Sequence, residues 1–167
     1  MILSGNSYCR TIITGNGEAV TSIGKAITIA ADYDTIVLKK GVYKEGSLVI
    51  TKPLTLIGEN GAVLDGENKY EILTISARNV TIRNINFRNA GYSALNDFAA
   101  IKLVNASFVQ ITGNSITNAY FAIHISNSAY CTVRENSIVG SPKSEQLTGN
   151  GIHLWKCSHA LIYNNHI

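Results

Sequence analysis

A short apolar repeat is the feature of this sequence that most restricts what the chain can fold into. Eight-residue stretches of alternating apolar and polar residues begin at Val80, Val109, Cys131 and Ala160, separated by 29, 22 and 29 residues. Shorter stretches of the same kind occupy residues 100–103, 122–125 and 151–154, again separated by 22 and then 29. One period cannot bury its own apolar face, so successive periods must stack and share a core. The repeat therefore predicts a solenoid.

We expect each coil of this solenoid to contain roughly 22 residues and two short strands. The two longer periods then carry insertions, which we place at residues 93–98 and 141–149 because both stretches are rich in turn-forming residues. Ile and Val occupy the repeated positions more often than Leu, which favours strands over the helix-containing coils of a leucine-rich repeat. The predicted fold is all-β, a right-handed parallel β-helix.

One polar residue type also recurs with the repeat. Asn114, Asn136 and Asn165 hold the same place in three coils, and Ile85 holds it in the first. Inward asparagines at a bend can stack into a ladder in which each amide bonds its neighbour and the carbonyls of the turn. We therefore interpret these asparagines as structural.

The segment before the repeats has a different period. Ile23, Ala26, Ile27 and Ala30 are spaced as on one face of a helix, with Thr21 and Ser22 as alternative start signals, so we predict a helix over about residues 18–31. A helix placed before the first coil would cover the apolar end of the solenoid. Residues 1–167 then form a single domain, with coils over about residues 34–167. Because the sequence stops inside a strand, we interpret it as the N-terminal fragment of a longer solenoid.

Charge and cysteine content exclude several functional classes. The net charge is only +3, and the lysines and arginines form no run beyond Lys39 and Lys40, so no nucleic-acid-binding surface is expected. No apolar stretch is long enough for a transmembrane segment, and the first residues lack the pattern of a signal peptide. The three cysteines are too far apart in sequence for a zinc knuckle or a disulfide framework.

Several stretches resemble a known family. Residues 22–30, 52–58 and 63–66 resemble the opening of many right-handed β-helix proteins, and residues 149–155 with 162–165 narrow the resemblance to NosD-type accessory proteins. These are periplasmic proteins associated with maturation of the copper enzyme nitrous oxide reductase. The resemblance implies a periplasmic, non-catalytic accessory protein that works with an ABC-type transporter and assists assembly of the copper centre of nitrous oxide reductase, with copper as a candidate ligand.

Two histidines are the candidate metal ligands. In an Ile-His-Ile strand with both isoleucines directed inward, the histidine points to solvent, so His124 and His153 should lie one above the other on adjacent coils. Cys157 follows in the next turn and supplies a soft ligand suited to Cu(I). We therefore predict a copper site formed by His124, His153 and Cys157, with His159 nearby. The alternative is a solvated face, and Lys102 in the same column favours it because an ammonium repels a cation.

A carbohydrate-active protein is the main functional alternative, since polysaccharide lyases and hydrolases often use this fold. Hydrolysis requires two carboxylates across a groove, and calcium-dependent elimination requires several acidic ligands. No two of the four turn aspartates occupy one column in neighbouring coils; these are Asp32, Asp34, Asp65 and Asp97. A binding surface made of exposed aromatic residues is a further alternative, with Tyr120, Tyr130, Tyr163 and Trp155 as candidates.

Overall fold

Three parallel sheets form the sides of a solenoid in the computed structural model, which describes residues 9–93, 95–140 and 149–167. Sheet A contains β1 (Thr11–Thr14), β2 (Thr35–Leu38), β5 (Thr55–Gly58), β8 (Thr81–Arg83), β11 (Gln110–Thr112), β14 (Thr132–Arg134) and β17 (Leu161–Tyr163). Sheet B contains β3 (Gly41–Tyr43), β6 (Ala62–Asp65), β9 (Asn86–Arg88), β12 (Ser115–Thr117) and β15 (Ser137–Val139). Sheet C contains β4 (Leu48–Ile50), β7 (Leu73–Ile75), β10 (Ala99–Val104), β13 (Phe121–Ser126) and β16 (Ile152–Trp155).

Each full coil contributes one strand to each sheet, so the predicted parallel β-helix is confirmed. The prediction of two strands per coil was wrong, because the eight-residue repeat is not one strand. It bends in its middle at a residue with left-handed backbone, and a strand cannot continue through that conformation. These residues are Asn84 (φ 58°), Gly113 (φ 65°), Glu135 (φ 57°) and Asn164 (φ 53°). Sheet A therefore ends before each bend and sheet B begins after it.

The register of the sheets follows the repeat. Ile111 of β11 lies opposite Ile82 of β8 and Val133 of β14, as the spacing of 29 and 22 requires. All three side chains are fully buried and form a column of the core. The first predicted insertion lies between β9 and β10, where Leu95 is 93% exposed. Of the second, residues 141–148 lie outside the described part of the chain.

The asparagine ladder is confirmed at the bend between sheets A and B. Nδ2 of Asn114 donates to Oδ1 of Asn136 at 3.0 Å, and Nδ2 of Asn136 donates to Oδ1 of Asn165 at 2.9 Å. The amide of Asn136 also donates to the carbonyl of Ile111 at 3.0 Å. Ile85 takes the place in the first coil, where its N–H donates to Oδ1 of Asn114. The ladder therefore satisfies polar groups that the bend would otherwise bury without partners.

The predicted capping helix is present but short. Helix α1 spans Ile23–Ile29, and the hydroxyl of its N-cap Ser22 accepts a hydrogen bond from the N–H of Lys25. The carboxylate of Glu45, from the following coil, accepts the N–H groups of Ile23 at 2.7 Å and Gly24 at 2.9 Å. The predicted start at residue 18 was too early, because Val20 pairs with Thr14 as an extended bridge.

Helix α1 covers the first coil through its apolar face. Ile23, Ala26 and Ile27 are buried, and the helix contacts β1, β2 and β4. In the described part of the chain, no helix is long and apolar enough to cross a membrane.

Candidate functional site

The predicted histidine column lies on the outer face of sheet C. Lys102 of β10 is paired with His124 of β13, and His124 is paired with His153 of β16. Ile123 and Ile125 on either side of His124 are fully buried in the core. Because side chains alternate along a strand, the lysine and both histidines leave the sheet on the side away from the core.

The prediction that His124 faces solvent was wrong, since only 3% of the residue is exposed. Its ring lies 5.3 Å from the ring of Phe121 and 4.9 Å from the ring of His153, measured between centroids. Phe121 is itself buried, and its ring packs against both imidazoles. Burial, followed by the proximity of His153, lowers the pKa of His124 below its usual value. His124 is therefore neutral at physiological pH and able to bind a metal through a ring nitrogen.

The two imidazoles are in direct contact. Their Nδ1 atoms are 3.2 Å apart, which is a hydrogen-bond distance, so one ring carries a proton on Nδ1 and the other accepts it. Phe121 stacks on His153 with ring centroids 4.9 Å apart and planes inclined by 12°, which fixes the second ring. The structure thus brings together two of the three predicted metal ligands.

Lys102 does not present a free charge to this pair. Its ammonium lies 3.1 Å from the carboxylate of Glu71, and both side chains are largely buried. The other oxygen of Glu71 accepts a hydrogen bond from the hydroxyl of Thr74. Sequence reasoning missed this partner, because Glu71 precedes β7 in a coil that the repeat does not cover. Glu71 removes much of the repulsion that Lys102 was expected to exert on a bound cation.

A groove of about 610 Å³ runs along this face. Asp97, from the inserted segment before β10, lines the groove together with Lys102, both histidines and Trp155. The negative charge of Asp97 favours protonation of His124 and therefore acts against the lowering of its pKa. Trp155, one of the candidate exposed aromatic residues, is 56% exposed.

Cys157 is placed away from the histidine pair. Its thiol donates to the carbonyl of Ile125 at 3.2 Å, and its side chain packs against the apolar core. His159 lies at another corner, where its ring stacks on Tyr130 with centroids 4.5 Å apart. In the ranges 9–93, 95–140 and 149–167, no three His, Cys, Asp or Glu residues form a group able to hold a metal ion.

The remaining cysteine in the repeat is structural. Cys131 is buried in the core, and burial raises the pKa of its thiol.

Two of the predicted turn aspartates serve as ion-pair partners. Asp34 accepts from the guanidinium of Arg10 at 2.8 Å, and Asp65 accepts from that of Arg88 at 2.8 Å. Tyr120, one of the candidate docking tyrosines, packs against Tyr92 and Phe121. These contacts assign Asp34, Asp65 and Tyr120 to the stability of the fold.

Comparison with known sequences gives one family and a few relatives. Residues 57–167 match the family model described as a right-handed β-helix region. The chain is 34% identical over 124 residues to a Pseudomonas aeruginosa protein named as a probable ABC transporter binding protein, NosD. That alignment covers 73% of this chain and 29% of the relative, so the chain spans less than a third of that protein. It is also 39% identical over 51 residues to F-box only protein 10 of mouse and human, covering 30% of this chain and 5% of those proteins.

Comparison with solved structures returns pectin methylesterases. The enzyme from Aspergillus niger is matched with a TM-score of 0.50 and 14% identity over 97% of this chain and 75% of the enzyme. The enzyme PemA from Erwinia chrysanthemi is matched with a TM-score of 0.51 and 15% identity over 83% of this chain and 57% of the enzyme. At this level of identity the likeness concerns the fold alone.

Proposed function

This chain belongs to the right-handed β-helix family, and from that premise we propose that it is a non-catalytic accessory protein acting with an ABC-type transporter in the assembly of a copper centre. The proposed client is nitrous oxide reductase, and the proposed compartment is the periplasm. Both follow from the resemblance to NosD-type proteins. The relative from Pseudomonas aeruginosa, whose name describes ABC transporter binding, supports the transporter.

The contact between His124 and His153 is the observation that carries the copper part of this proposal. Two imidazoles 3.2 Å apart, with one ring held by Phe121, are arranged to share one ion. Imidazole is a suitable ligand for copper, and a groove open to solvent would allow the ion to enter and leave. Cys157 is the third ligand predicted from the sequence, but its thiol donates a hydrogen bond to the carbonyl of Ile125 in β13. Copper is therefore proposed to bind through the histidines.

A carbohydrate-active role receives less support from this part of the chain. Such chemistry requires carboxylates that are free to donate or accept protons. Asp34 and Asp65 are instead held by arginines, and Glu71 is held by Lys102. The pectin methylesterases share the architecture, which does not determine chemistry.

Deletion of the encoding gene tests the accessory role. We expect nitrous oxide reductase to accumulate as polypeptide with a reduced copper content, and reintroduction of the gene to restore it. Copper per reductase, measured by mass spectrometry on the purified enzyme, is the readout. Fully loaded reductase in the deletion strain would contradict the proposal, as would a source organism that makes no such reductase.

A further inference from the structure

A gap in one column of side chains on sheet C has the shape of a binding site for a flat ring. We propose that this gap, between Val104 and Trp155 and above Ser126, binds a planar nitrogen heterocycle of the adenine type, as a free base or nucleoside. The inference concerns the column beside the histidines. It does not depend on the copper role.

Two columns of side chains form the outer face of sheet C around the groove. Strand pairing places Ser126 of β13 next to Val104 of β10 on one side and next to Trp155 of β16 on the other. Each of these residues lies two positions after a member of the histidine column, so its side chain leaves the sheet on the same side. All three residues line the groove of about 610 Å³.

The second column has a gap at Ser126. Adjacent coils are about 4.8 Å apart, so the strands that carry Val104 and Trp155 are separated by roughly 10 Å. Serine has the smallest side chain of the three, and its hydroxyl turns to the main chain, where it donates to the carbonyl of Leu103 at 3.2 Å. The space between Val104 and Trp155 therefore corresponds to one layer of the column, and a flat ring can fill it.

Flat rings already stack at this spacing elsewhere in the protein. At the corner between sheets C and A, Phe108 and Tyr130 come from adjacent coils, and their ring centroids are 5.0 Å apart with planes inclined by 5°. His159 of the next coil adds a third ring, 4.5 Å from that of Tyr130. The spacing of the coils thus suits a stack of planar rings with one ring in each coil. A planar ligand over Ser126 takes the position of the ring that the second column lacks.

The chemistry of the gap fits a ring that is apolar on its faces and polar at its edge. Trp155 is 56% exposed and offers an indole for stacking, while Val104 offers methyl groups on the opposite side. Asn127 follows Ser126, is exposed and lines the same groove. Its amide presents a donor and an acceptor side by side, which matches the amino group and the N7 atom of adenine.

Charge and size restrict the ligand to a small molecule. Lys102 is neutralised by Glu71, and Asp97 brings a negative charge to the lining, so the groove offers no strong binding to phosphate groups. A polynucleotide is also disfavoured because the whole chain has a net charge of only +3. A groove of about 610 Å³ accommodates a base or a nucleoside.

Tryptophan fluorescence tests the site directly, because Trp155 is the only tryptophan in the chain. A purine that stacks on the indole should quench its emission, so titration of the full chain with adenosine should give saturable quenching. Isothermal titration calorimetry should give a stoichiometry of one. Ribose, which has no flat ring, should leave the emission unchanged.

A ring supplied by the protein itself should block the ligand. Ser126→Phe places a phenyl ring between Val104 and Trp155 and should weaken adenosine binding by about tenfold or more. Ser137→Phe is the matched control, because it makes the same change at an exposed position on the outer face of sheet B and should bind as the parent does. Circular dichroism establishes that both variants fold. Asn127→Ala should weaken binding about two- to tenfold through loss of the contacts at the edge of the ring.

Four outcomes would overturn the proposal. Adenosine might give no saturable quenching, or quenching that Ser126→Phe leaves intact. Calorimetry might show binding that does not quench Trp155, which would place the ligand elsewhere. Ribose might bind as tightly as adenosine, which would assign recognition to the sugar. None of these readouts involves the copper content of the reductase, so the ring site and the accessory role can fail separately.

Discussion

A side chain on the outer face of a sheet becomes buried when neighbouring side chains on that face are large enough to cover it. Phe121 and His153 do this for His124, and the inserted segment carrying Asp97 forms the adjoining wall of the groove. The result is a neutral imidazole enclosed by aromatic rings on the outside of the solenoid. Its contribution to stability should resemble that of a core residue.

Replacement of His124 by alanine measures this contribution. We expect a loss of about 1–3 kcal/mol in the free energy of unfolding, because the change opens a cavity beside Phe121 and removes the hydrogen bond to His153. Urea denaturation followed by circular dichroism gives the value. His166→Ala makes the same chemical change at an exposed position and should cost less than about 0.5 kcal/mol. Equal losses in the two variants would mean that His124 is not buried in solution.

The histidine column also shows how far sequence reasoning reached at this scale. Spacing placed Lys102, His124 and His153 in register, because the repeat fixes which residues are neighbours. Alternation gave the direction of each side chain but not what covers it. The pattern of the repeat does not extend to the residues that surround the column. Phe121 is the first residue of β13, Asp97 lies in the inserted segment before β10, and Glu71 precedes β7 in an early coil. Cys157 was misplaced because its backbone leaves the strand after Trp155, through the left-handed residue Lys156.

The strands and the helix of this protein are stabilised by hydrogen bonds at the residues where they begin or end. Strands β8, β11, β14 and β17 end at left-handed corners, and the asparagine ladder bonds the main chain of this corner from coil to coil. Helix α1 is likewise fixed at its first turn by Ser22 and by Glu45 from the next coil. The periodicity predicted that these elements exist. The residues at which the strands end were not predicted. The left-handed residue after the strand is Asn, Gly or Glu in different coils, so no single residue type identifies it.

The asparagine ladder should respond sharply to a single change. Asn136→Ala leaves the carbonyls of Ile111 and Arg134 and the N–H of Asn114 without the partners they have in the native bend. Since each unsatisfied buried group costs about 1–3 kcal/mol, we expect a loss of roughly 2–4 kcal/mol in the free energy of unfolding. Thermal and urea unfolding would both report it. The exposed Asn60 provides the control, and a comparably large effect of Asn60→Ala would argue against a specific role of the ladder.

The whole molecule is a stack in which each coil contacts the coils directly before and after it. Such stacks derive their stability from the sum of neighbouring interfaces, which is why a repeat in the sequence was sufficient to predict the architecture. The three-sided cross-section was not predicted, because the eight-residue repeat reads as one strand unless the left-handed residue at its centre is recognised. The candidate site depends on the few positions where neighbouring coils differ, and the repeat carries the least information there.

Acid should weaken the stack from its first coil. Asp34 accepts hydrogen bonds from the N–H of Arg10, the guanidinium of Arg10 and the N–H of Ala31, and these contacts hold the pKa of its carboxyl below 3.8. Because Asp34 has a lower pKa in the folded protein than in the unfolded chain, its carboxylate stabilises the fold fully at pH values above the unfolded-state pKa. This stabilisation is lost as the pH falls through the pKa of the folded state. The free energy of unfolding should therefore decline below about pH 4.

The variant Asp34→Asn separates this residue from the other carboxylates. It should be less stable than the parent at neutral pH and should lose less stability between neutral pH and about pH 3, measured by urea denaturation at each pH. Asp65 also has a lowered pKa and will keep part of the acid sensitivity in both proteins. A variant whose profile runs parallel to that of the parent would assign the acid response elsewhere.

The parallel pairing of every strand gives this protein a mechanical direction. In all three sheets the hydrogen bonds between coils point along the axis of the solenoid. A force that pulls along the axis acts on these bonds in tension, one interface after another, and would peel the coils apart in sequence. A force across the axis acts on covalent chain wound around a packed core. The protein should therefore be weak along its length and stiff across it, so a partner that grips one side of the stack can pull on it without unwinding the coils.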